Sequence, residues 1–251
     1  EGRRLWTSNL ARDADRAVLA LLPPGGAATG PAPLAAILEP VSESSDLADI
    51  VLLGNNGQTL AKLNDTDLPE LVRLVDVNRD GHFELLLPRF ATLQLIGLGI
   101  GDSEYIEEWE YALDAAPTAA LVIDLDKDGE DDVVIGTRDG RLHSLGVDRT
   151  IRWLHAPGEE IAMLAGVRHA VSEPPRVVVV RRQRLEEGAT GGRASWLELR
   201  EASGERMWVD ALPFEITALA VDDRSSAAQP TILIGGSGGQ VTAYDLSGNA
   251  L

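Results

Sequence analysis

Six carboxylates lie within nine residues in the stretch DLDKDGEDD, which directly precedes an apolar run. Positions one, three, five, seven and nine of this turn are Asp124, Asp126, Asp128, Glu130 and Asp132. Alternate carboxylates converge on one point because Gly129 at position six permits a tight bend, and position seven offers its backbone carbonyl. Hard oxygen ligands of high negative charge favour calcium, and no His or Cys is placed to favour zinc. The spacing therefore predicts a calcium site.

A second copy of the pattern reads DVNRDGHFE. Its ligands would be Asp76, Asn78, Asp80, the carbonyl of His82, and Glu84. An Asn replaces one carboxylate, so we expect this site to bind calcium more weakly. A third turn of the same kind, which begins at Asp223, lacks ligands at the later positions. We expect both calcium ions to be structural, because a loop that uses its ligands to hold an ion leaves little coordination for a substrate.

Short apolar segments punctuated by Gly, Asp and Pro run along the whole chain, and they must position these turns. They include residues 71–75, 119–123, 161–167, 177–180 and 232–234. Each is seven residues long or shorter and many are β-branched, which is typical of strands. An apolar stripe at helical spacing does not persist for the ~12 residues of a stable helix. The sequence therefore predicts an all-β fold.

An internal repeat indicates which all-β fold this is. Residues 118–137 align without a gap with residues 217–236, at an offset of 99. In the same register, the first position of the turn falls at Leu21, Asp76, Asp124, Arg168 and Asp223. A Trp stands fifteen residues earlier in four of these five repeats: Trp6, Trp109, Trp153 and Trp208. The repeat length of about fifty residues has room for four short strands, which is the size of one propeller blade.

We therefore predict a five-bladed β-propeller that forms a single domain over residues 1–251. Its blades lie near residues 15–64, 70–113, 117–155, 160–210 and 214–251. In the third blade the strands fall near 118–124, 131–136, 140–145 and 150–154, with the Trp on the outermost strand. An N-terminal strand, residues 3–9, closes the last blade and removes two exposed edges. The alternative is a β-sandwich or a pair of domains in which the Trp spacing is accidental.

The D-x-D-x-D-G-x-x-D turn followed by an apolar strand and Gly resembles FG-GAP or VCBS repeats of integrin-like propellers. The resemblance is specific over residues 76–84 and 124–132, and elsewhere it rests on spacing. It implies that the loops hold calcium and that the propeller serves adhesion or ligand recognition. The outer-strand Trp residues also resemble those of quinoprotein-type propellers, although no cofactor-binding residues are identifiable.

The net charge of −18 argues against nucleic acid and anionic membrane surfaces as partners, because both would be repelled. No apolar run reaches the ~20 residues that span a bilayer, so we expect no direct membrane insertion. Residues 168–206 differ from the rest, with eight Arg, six Glu and no Asp. This Arg-rich segment is either an ordinary charged region or a docking edge for an acidic partner.

The function we expect is a non-catalytic recognition module of a larger bacterial protein, located outside the cytosol, where micromolar or weaker calcium sites fill. Its ligand would be a protein or a carbohydrate. The sequence contains no nucleophile elbow, zinc-protease or phosphate-binding motif, and its four histidines are expected at the surface or in turns. The alternatives are an enzyme on the same scaffold, such as a polysaccharide lyase or quinoprotein-like catalyst, and an intracellular scaffold propeller without a bound ion.

Overall fold

Nineteen β-strands make up the secondary structure of the part of the chain that the computed structural model describes. That part comprises residues 20–21, 33–40, 47–54, 57–67, 73–75, 84–89, 94–100, 105–146, 148–169, 172–183, 193–223 and 229–251. The strands belong to two compact units, Glu1–Asp114 and Ala115–Leu251. The prediction of an all-β fold is confirmed, since every sheet is antiparallel.

The first unit contains two four-stranded sheets whose strands follow in chain order. Sheet A consists of β1 Ala20–Leu21, β2 Pro33–Pro40, β3 Leu47–Gly54 and β4 Thr59–Asp67. Sheet B consists of β5 Arg73–Val75, β6 Glu84–Arg89, β7 Gln94–Ile100 and β8 Tyr105–Ala112. An inner strand of each sheet is buried on both faces, as Leu52 and Leu53 of β3 and Leu85 and Leu86 of β6 show. Continuous apolar runs suit such a position, because neither face meets water.

The second unit contains three sheets, again with strands in chain order. Sheet C consists of β9 Pro117–Ile123, β10 Asp132–Thr137, β11 Leu142–Leu145 and β12 Ile151–His155. Sheet D consists of β13 Glu160–Val167, β14 Arg176–Arg182, β15 Ser195–Arg200 and β16 Arg206–Leu212. Sheet E consists of β17 Ile216–Asp222, β18 Thr231–Gly236 and β19 Val241–Tyr244. The strands predicted for sheet C are confirmed, with small shifts at their ends.

The repeat at an offset of 99 is confirmed strand by strand. β9, β10 and β11 of sheet C correspond to β17, β18 and β19 of sheet E at that offset. The turns repeat as well: Gly140 donates its amide to the carbonyl of Thr137 at 3.1 Å, and Gly239 donates to Gly236 at 2.9 Å. Equal spacing of strands and turns shows that both sheets are copies of one structural unit.

Two apolar clusters join the sheets of the second unit. One lies between sheets C and D, where Ile123, Val134 and Leu142 pack with Val177 and Val179 of β14. The other lies between sheets D and E, where the alternate residues of β14 pack against the strands of sheet E; it includes Val178, Val180, Leu197, Ile232 and Ile234. Because successive side chains of a strand point to opposite faces, sheet D has one face for each neighbour.

The outermost strands carry the Trp residues, as predicted: Trp109 lies on β8, Trp153 on β12 and Trp208 on β16. The indole N–H of Trp153 donates to the carbonyl of Ala202 at 2.8 Å, and that of Trp208 donates to the carbonyl of Leu246 at 3.0 Å. Each accepting residue is the second of a turn on the next sheet. We call the contact of Trp153 with turn 201–205 the first joint, and that of Trp208 with turn 245–249 the second joint.

The outer edge of sheet E is where the predicted closing strand would pair. Residues 3–9 and Trp6 lie outside the described residues, so that closure stays a prediction. Tyr244 of β19 forms a bridge with Ala250, and the amide of Leu251 donates to the carbonyl of Ala243 at 2.9 Å. The last residues of the chain therefore already pair with this edge. No closed sheet occurs among the described strands.

Candidate metal-binding loop

The loop between β9 and β10 carries the first acidic stretch. Its ends are fixed by the sheet, since Ile123 pairs with Asp132 in the antiparallel ladder. Leu125 anchors the beginning of the loop, because its side chain is buried in the cluster between sheets C and D. Lys127 and Gly129 have φ angles of 64° and 99°, which reverse the chain within a few residues. The loop is thus a tight turn on a rigid hairpin.

Three aspartates of the loop fold it through bonds to its own amides. Asp126 Oδ1 accepts from the amide of Asp128 at 3.3 Å, and Asp128 Oδ1 accepts from the amide of Glu130 at 2.8 Å. Asp124 Oδ2 accepts from the amide of Gly129 at 3.2 Å. Such bonds let an Asp side chain hold a turn. They bring one carboxylate oxygen each from Asp124, Asp126 and Asp128 to within 4.8 Å of one another, so this triad could hold a metal ion.

Asp132 lies at the base of the loop, where its side chain is 1% exposed. Its Oδ2 accepts from the amide of Leu125 at 2.9 Å, and its Oδ1 lies 2.5 Å from Nε of Arg152. Burial raises the pKa of Asp132 above its ordinary value, and the Leu125 amide and the Arg152 charge offset this only in part. Asp132 therefore ties the loop to the sheet, and both of its oxygens already have partners in the protein.

Arg152 of β12 is the residue that the sequence reasoning missed. Its guanidinium pairs with Asp126 and Asp132, and its Nη2 lies 3.4 Å from Oδ2 of Asp128. Burial lowers the pKa of Arg152, but the charges of Asp132, Asp126 and Asp128 outweigh burial and raise it overall. No repeat-wide signal reveals this residue, because Glu108 and Met207 stand before Trp109 and Trp208 where Arg152 stands before Trp153.

The cluster therefore combines four aspartates with one arginine, a formal charge of −3. Its donor atoms are carboxylate oxygens, which suit a hard cation such as calcium or magnesium better than a transition metal. The guanidinium shares Asp126 and Asp128 with any such ion. An ion that binds the triad must consequently compete with Arg152 or move it aside.

The remaining predicted ligands are placed less completely. Residues 76–83, and with them Asp76, Asn78, Asp80 and His82, lie outside the described part of the chain, while Glu84 begins β6. The second calcium loop therefore stays a prediction. In the third turn, Asp223 Oδ2 accepts from the amide of Arg168 at 3.1 Å, so this carboxylate links sheets E and D.

The Arg-rich segment, residues 168–206, is largely paired within the second unit. Six of its eight arginines form ion pairs with glutamates: Arg176, Arg181, Arg182, Arg193, Arg200 and Arg206. The prediction of an exposed docking edge is wrong for Arg181, which is 6% exposed and pairs with Glu159 and Glu198. A buried guanidinium needs such partners, because its charge is costly to remove from water. Arg184 lies outside the described residues.

Two histidines also differ from the expectation. His143 is buried on β11, and His155 packs its ring 5.4 Å from that of Trp153. The sequence expectation failed because both histidines lie within strands of sheet C and not in its turns. In the part of the chain that is described, no helix is long and apolar enough to cross a membrane.

Comparison with known proteins supports the fold. No protein family matches the sequence, and no curated protein is detectably similar to it. The chain is similar to BBS1N, solved in complex with ARL6DN, at 12% identity and a TM-score of 0.59; the match covers 90% of this chain and 63% of BBS1N. BamB from Moraxella catarrhalis matches at 13% identity and a TM-score of 0.44, over 86% of this chain and 71% of BamB. The fold is propeller-like.

Proposed function

We propose that the chain is a five-bladed propeller of the FG-GAP or VCBS kind, which acts as a non-catalytic protein-interaction module and carries a structural calcium ion. The observation that carries the proposal is the convergence of Asp124, Asp126 and Asp128 in a loop between the first two strands of a propeller-like sheet. The five antiparallel sheets of the described residues support the blade count. The module belongs to a longer extracytoplasmic protein, where calcium is plentiful.

Closure of the ring belongs to the same proposal. Sheet E has three strands where the other described sheets have four, and Ala250 and Leu251 pair with only part of its outer edge, so a strand from residues 3–9 would complete the rest of that edge. Deletion of residues 1–10 should expose two sheet edges and cause aggregation or a marked loss of thermal stability. A truncated protein that melts like the parent would show that these residues do not close the ring.

Protein recognition is the favoured activity for two reasons. BBS1N, which has a similar fold, was solved in complex with ARL6DN. The acidic loop of this chain is already committed to bonds with its own amides and with Arg152, which suits a scaffold better than a catalytic centre. A partner captured by the tagged chain should bind the purified chain saturably. Binding to carbohydrate but to no protein would contradict this part of the proposal.

Calcium would be held by the three clustered aspartates, with the carbonyl of Glu130 and the carboxylate of Asp132 as the further ligands that the spacing suggests. An ion that binds only the folded loop stabilises it by RT ln(1 + [L]/Kd), about 2.7 kcal/mol at a hundredfold excess over Kd. Calcium should therefore raise the Tm of chelated protein by on the order of 5 to 10 °C. Calorimetric titration of the chelated protein measures the binding directly.

The control variants distinguish stabilisation by bound calcium from a general effect of substitution on folding. Asp126→Ala removes one of the clustered carboxylates and should abolish most of the calcium shift, whereas Asp131→Ala, outside the ligand positions, should keep it. Magnesium should stabilise less, because it demands a tighter octahedral shell and keeps its waters. No heat of binding and no shift in the parent protein would show that Arg152 alone neutralises the loop.

Arg152→Gln provides the sharpest test of competition at this site. When the guanidinium of Arg152 is absent, calcium should bind roughly tenfold more tightly, which corresponds to about 1.4 kcal/mol of binding free energy. The same variant should be less stable than the parent in chelator, because the aspartates lose their internal counter-ion. If the variant binds calcium no more tightly than the parent does, the guanidinium and the ion do not compete.

A further inference from the structure

The first joint contains a histidine that the second joint lacks. His155 lies two residues after Trp153 on β12, and both rings rest against Gly204 in turn 201–205 of sheet D. A Cβ on Gly204 would lie 2.6 Å from Nε2 of His155 and 2.7 Å from Cδ2 of Trp153. At the second joint, the corresponding residue two positions after Trp208 is Asp210, which accepts a hydrogen bond from Tyr244.

The two nitrogens of His155 meet different surroundings. One ring nitrogen makes a hydrogen bond to the backbone of Ser203 in the turn. Nε2 is buried, and among the described residues it has no hydrogen-bond partner. A neutral imidazole tolerates this arrangement because its second nitrogen carries only a lone pair. Protonation would place an N–H donor there without an acceptor, and a buried donor without an acceptor is destabilising.

The charges around His155 add to that cost. Arg200 of β15 lies beside the ring, and its Nη1 donates to the carbonyl of Gly204 at 2.9 Å. The buried carboxylate of Glu198, on the same strand as Arg200, is already paired with Arg200 and Arg181 at 2.7 and 2.6 Å. Arg206 of β16 lies 3.8 Å from the same carboxylate, so it adds another positive charge.

The carboxylates at the edge of this region do not compensate for these cations. Glu159, which follows β12, pairs with Arg181, and the turn residues Glu201 and Glu205 have exposed side chains. Burial, followed by the charge of Arg200, lowers the pKa of His155 below its ordinary value, despite the bond to Ser203. A protonated His155 is consequently more stable when it has left the joint.

We propose that His155 makes the first joint sensitive to acid, so that the outer strand of sheet C separates from turn 201–205 as the ring becomes protonated. The second joint contains no histidine, so we expect it to stay closed. This inference does not depend on calcium binding or on a protein partner. A mildly acidic compartment would thus loosen one chosen contact between sheets while the rest of the unit keeps its structure.

The direction follows from proton linkage. Above the pKa of a free histidine, about 6.5, both states of the joint are neutral and the joint is fully closed. Below it the open state binds the proton more readily, so the opening constant grows as the pH falls. The total increase is tenfold for each pKa unit by which closure lowers the pKa of His155. The increase ends once the pH is below the pKa in the closed state.

Amide and indole hydrogen exchange by NMR tests the proposal on the whole chain. The indole N–H groups of Trp153 and Trp208 are donors in equivalent joints, so their ratio of protection factors cancels global effects of pH. We expect the protection of Trp153 relative to Trp208 to fall several-fold between pH 7.5 and 5.0. In His155→Gln the ratio should not change with pH, whereas His169→Gln, which alters a histidine after β13, should behave like the parent.

A direct titration keeps the test informative if His155→Gln fails to fold. The ring protons of His155 in the parent protein should titrate with a pKa below that of a histidine in an unfolded peptide. A pKa at or above the peptide value would overturn the proposal. So would a ratio of Trp153 to Trp208 protection that does not change with pH in the parent protein.

Discussion

The two joints of the second unit show how one repeat can be built with different side chains. In both, a Trp on an outer strand donates to the second residue of a turn, and the fourth residue is a glycine with φ of 82° or 87°. Both joints adjoin an apolar cluster, but the first joint also adjoins the charged group Glu198, Arg181 and Arg200. The backbone contact is repeated, and the packing beside it is not.

The charged group lies on the face of sheet D that meets sheet C. Glu198 pairs across the strands with Val179, which belongs to the cluster between sheets C and D, and cross-strand partners share a face. Glu198 is fully buried, and each of its oxygens meets an arginine. When one apolar side chain is removed, the other apolar contacts remain favourable. When one member of a buried ion cluster is removed, an uncompensated charge is left in the interior.

Replacing Glu198 should therefore give the largest effect. Glu198→Gln keeps the shape but leaves Arg181 and Arg200 without a countercharge, and we expect a loss of about 3 to 5 kcal/mol in the free energy of unfolding. The Tm should fall by on the order of 10 °C in a thermal melt. Glu201→Gln, an exposed neighbour on the same strand-turn segment, should melt like the parent. A Glu198→Gln protein within two degrees of the parent would contradict the dependence of the first joint on charge.

A triple variant separates the destabilisation caused by an unpaired buried charge from the contribution of the intact ion cluster to stability. Arg181→Met, Glu198→Leu and Arg200→Met together remove all three charges and fill the space with apolar groups. Because buried ion pairs contribute little net stability over well-packed apolar residues, we expect the triple variant to melt above Glu198→Gln. If it melts lower, the cluster stabilises the first joint through its ion pairs themselves.

Gly204 and Gly248, the glycines of the two joints, allow a matched comparison of how closely each turn packs against its neighbours. Both have positive φ angles, so an alanine is strained at either position. At Gly204 the new Cβ would lie 2.6 Å from His155, whereas at Gly248 its nearest contact is Trp208 at 3.0 Å. We expect about 2 to 4 kcal/mol of destabilisation for Gly204→Ala and about 1 to 2 kcal/mol for Gly248→Ala. Equal losses in urea denaturation would show that only backbone strain matters.

The repeated features were the ones that sequence could predict. The strands of sheet C, the offset of 99 and the outer-strand position of Trp153 follow from periodicity and spacing, because every copy of the unit must satisfy the same backbone pairing. The partner of each Trp also had a signal that was missed. The turns EASGE and DLSGN share an acidic residue followed three positions later by Gly, each after the third strand of its sheet.

The charged contacts could not be predicted in the same way. Arg152 pairs with Asp126 although it lies 26 residues later, on another strand. Arg181 pairs with Glu159 and Glu198, which lie on two other segments of the chain. Each pairing occurs in a single repeat, so no periodicity marks it. The composition of the Arg-rich segment indicated charge without showing that its own glutamates would neutralise most of it. Contacts of this kind depend on which strands become neighbours, and that is settled only by the fold.

Tyr244 gives the smallest expected effect, and it concerns the second joint. Its hydroxyl donates to Oδ2 of Asp210 at 2.8 Å, and its ring stacks on Trp208 with centroids 6.1 Å apart. Burial, followed by the bond to Asp210 and the charge of Asp210, raises the pKa of Tyr244 to about 12. An unfolded tyrosine has a pKa of about 10, so the folded state favours the neutral phenol.

The stability that this phenol contributes is fully present below pH 10 and is lost as the pH rises toward 12, because the unfolded state ionises first. By pH 11 the loss should be about 1.4 kcal/mol, and Tyr244→Phe should not show it. Urea denaturation from pH 8 to 11 should therefore show that the difference in the free energy of unfolding between the parent and Tyr244→Phe becomes smaller as the pH rises. A constant gap would mean that the phenol of Tyr244 ionises as easily in the folded protein as in the unfolded chain. The second joint should thus weaken in alkali, whereas the first weakens in acid, since His155 and Tyr244 are both held in their neutral forms.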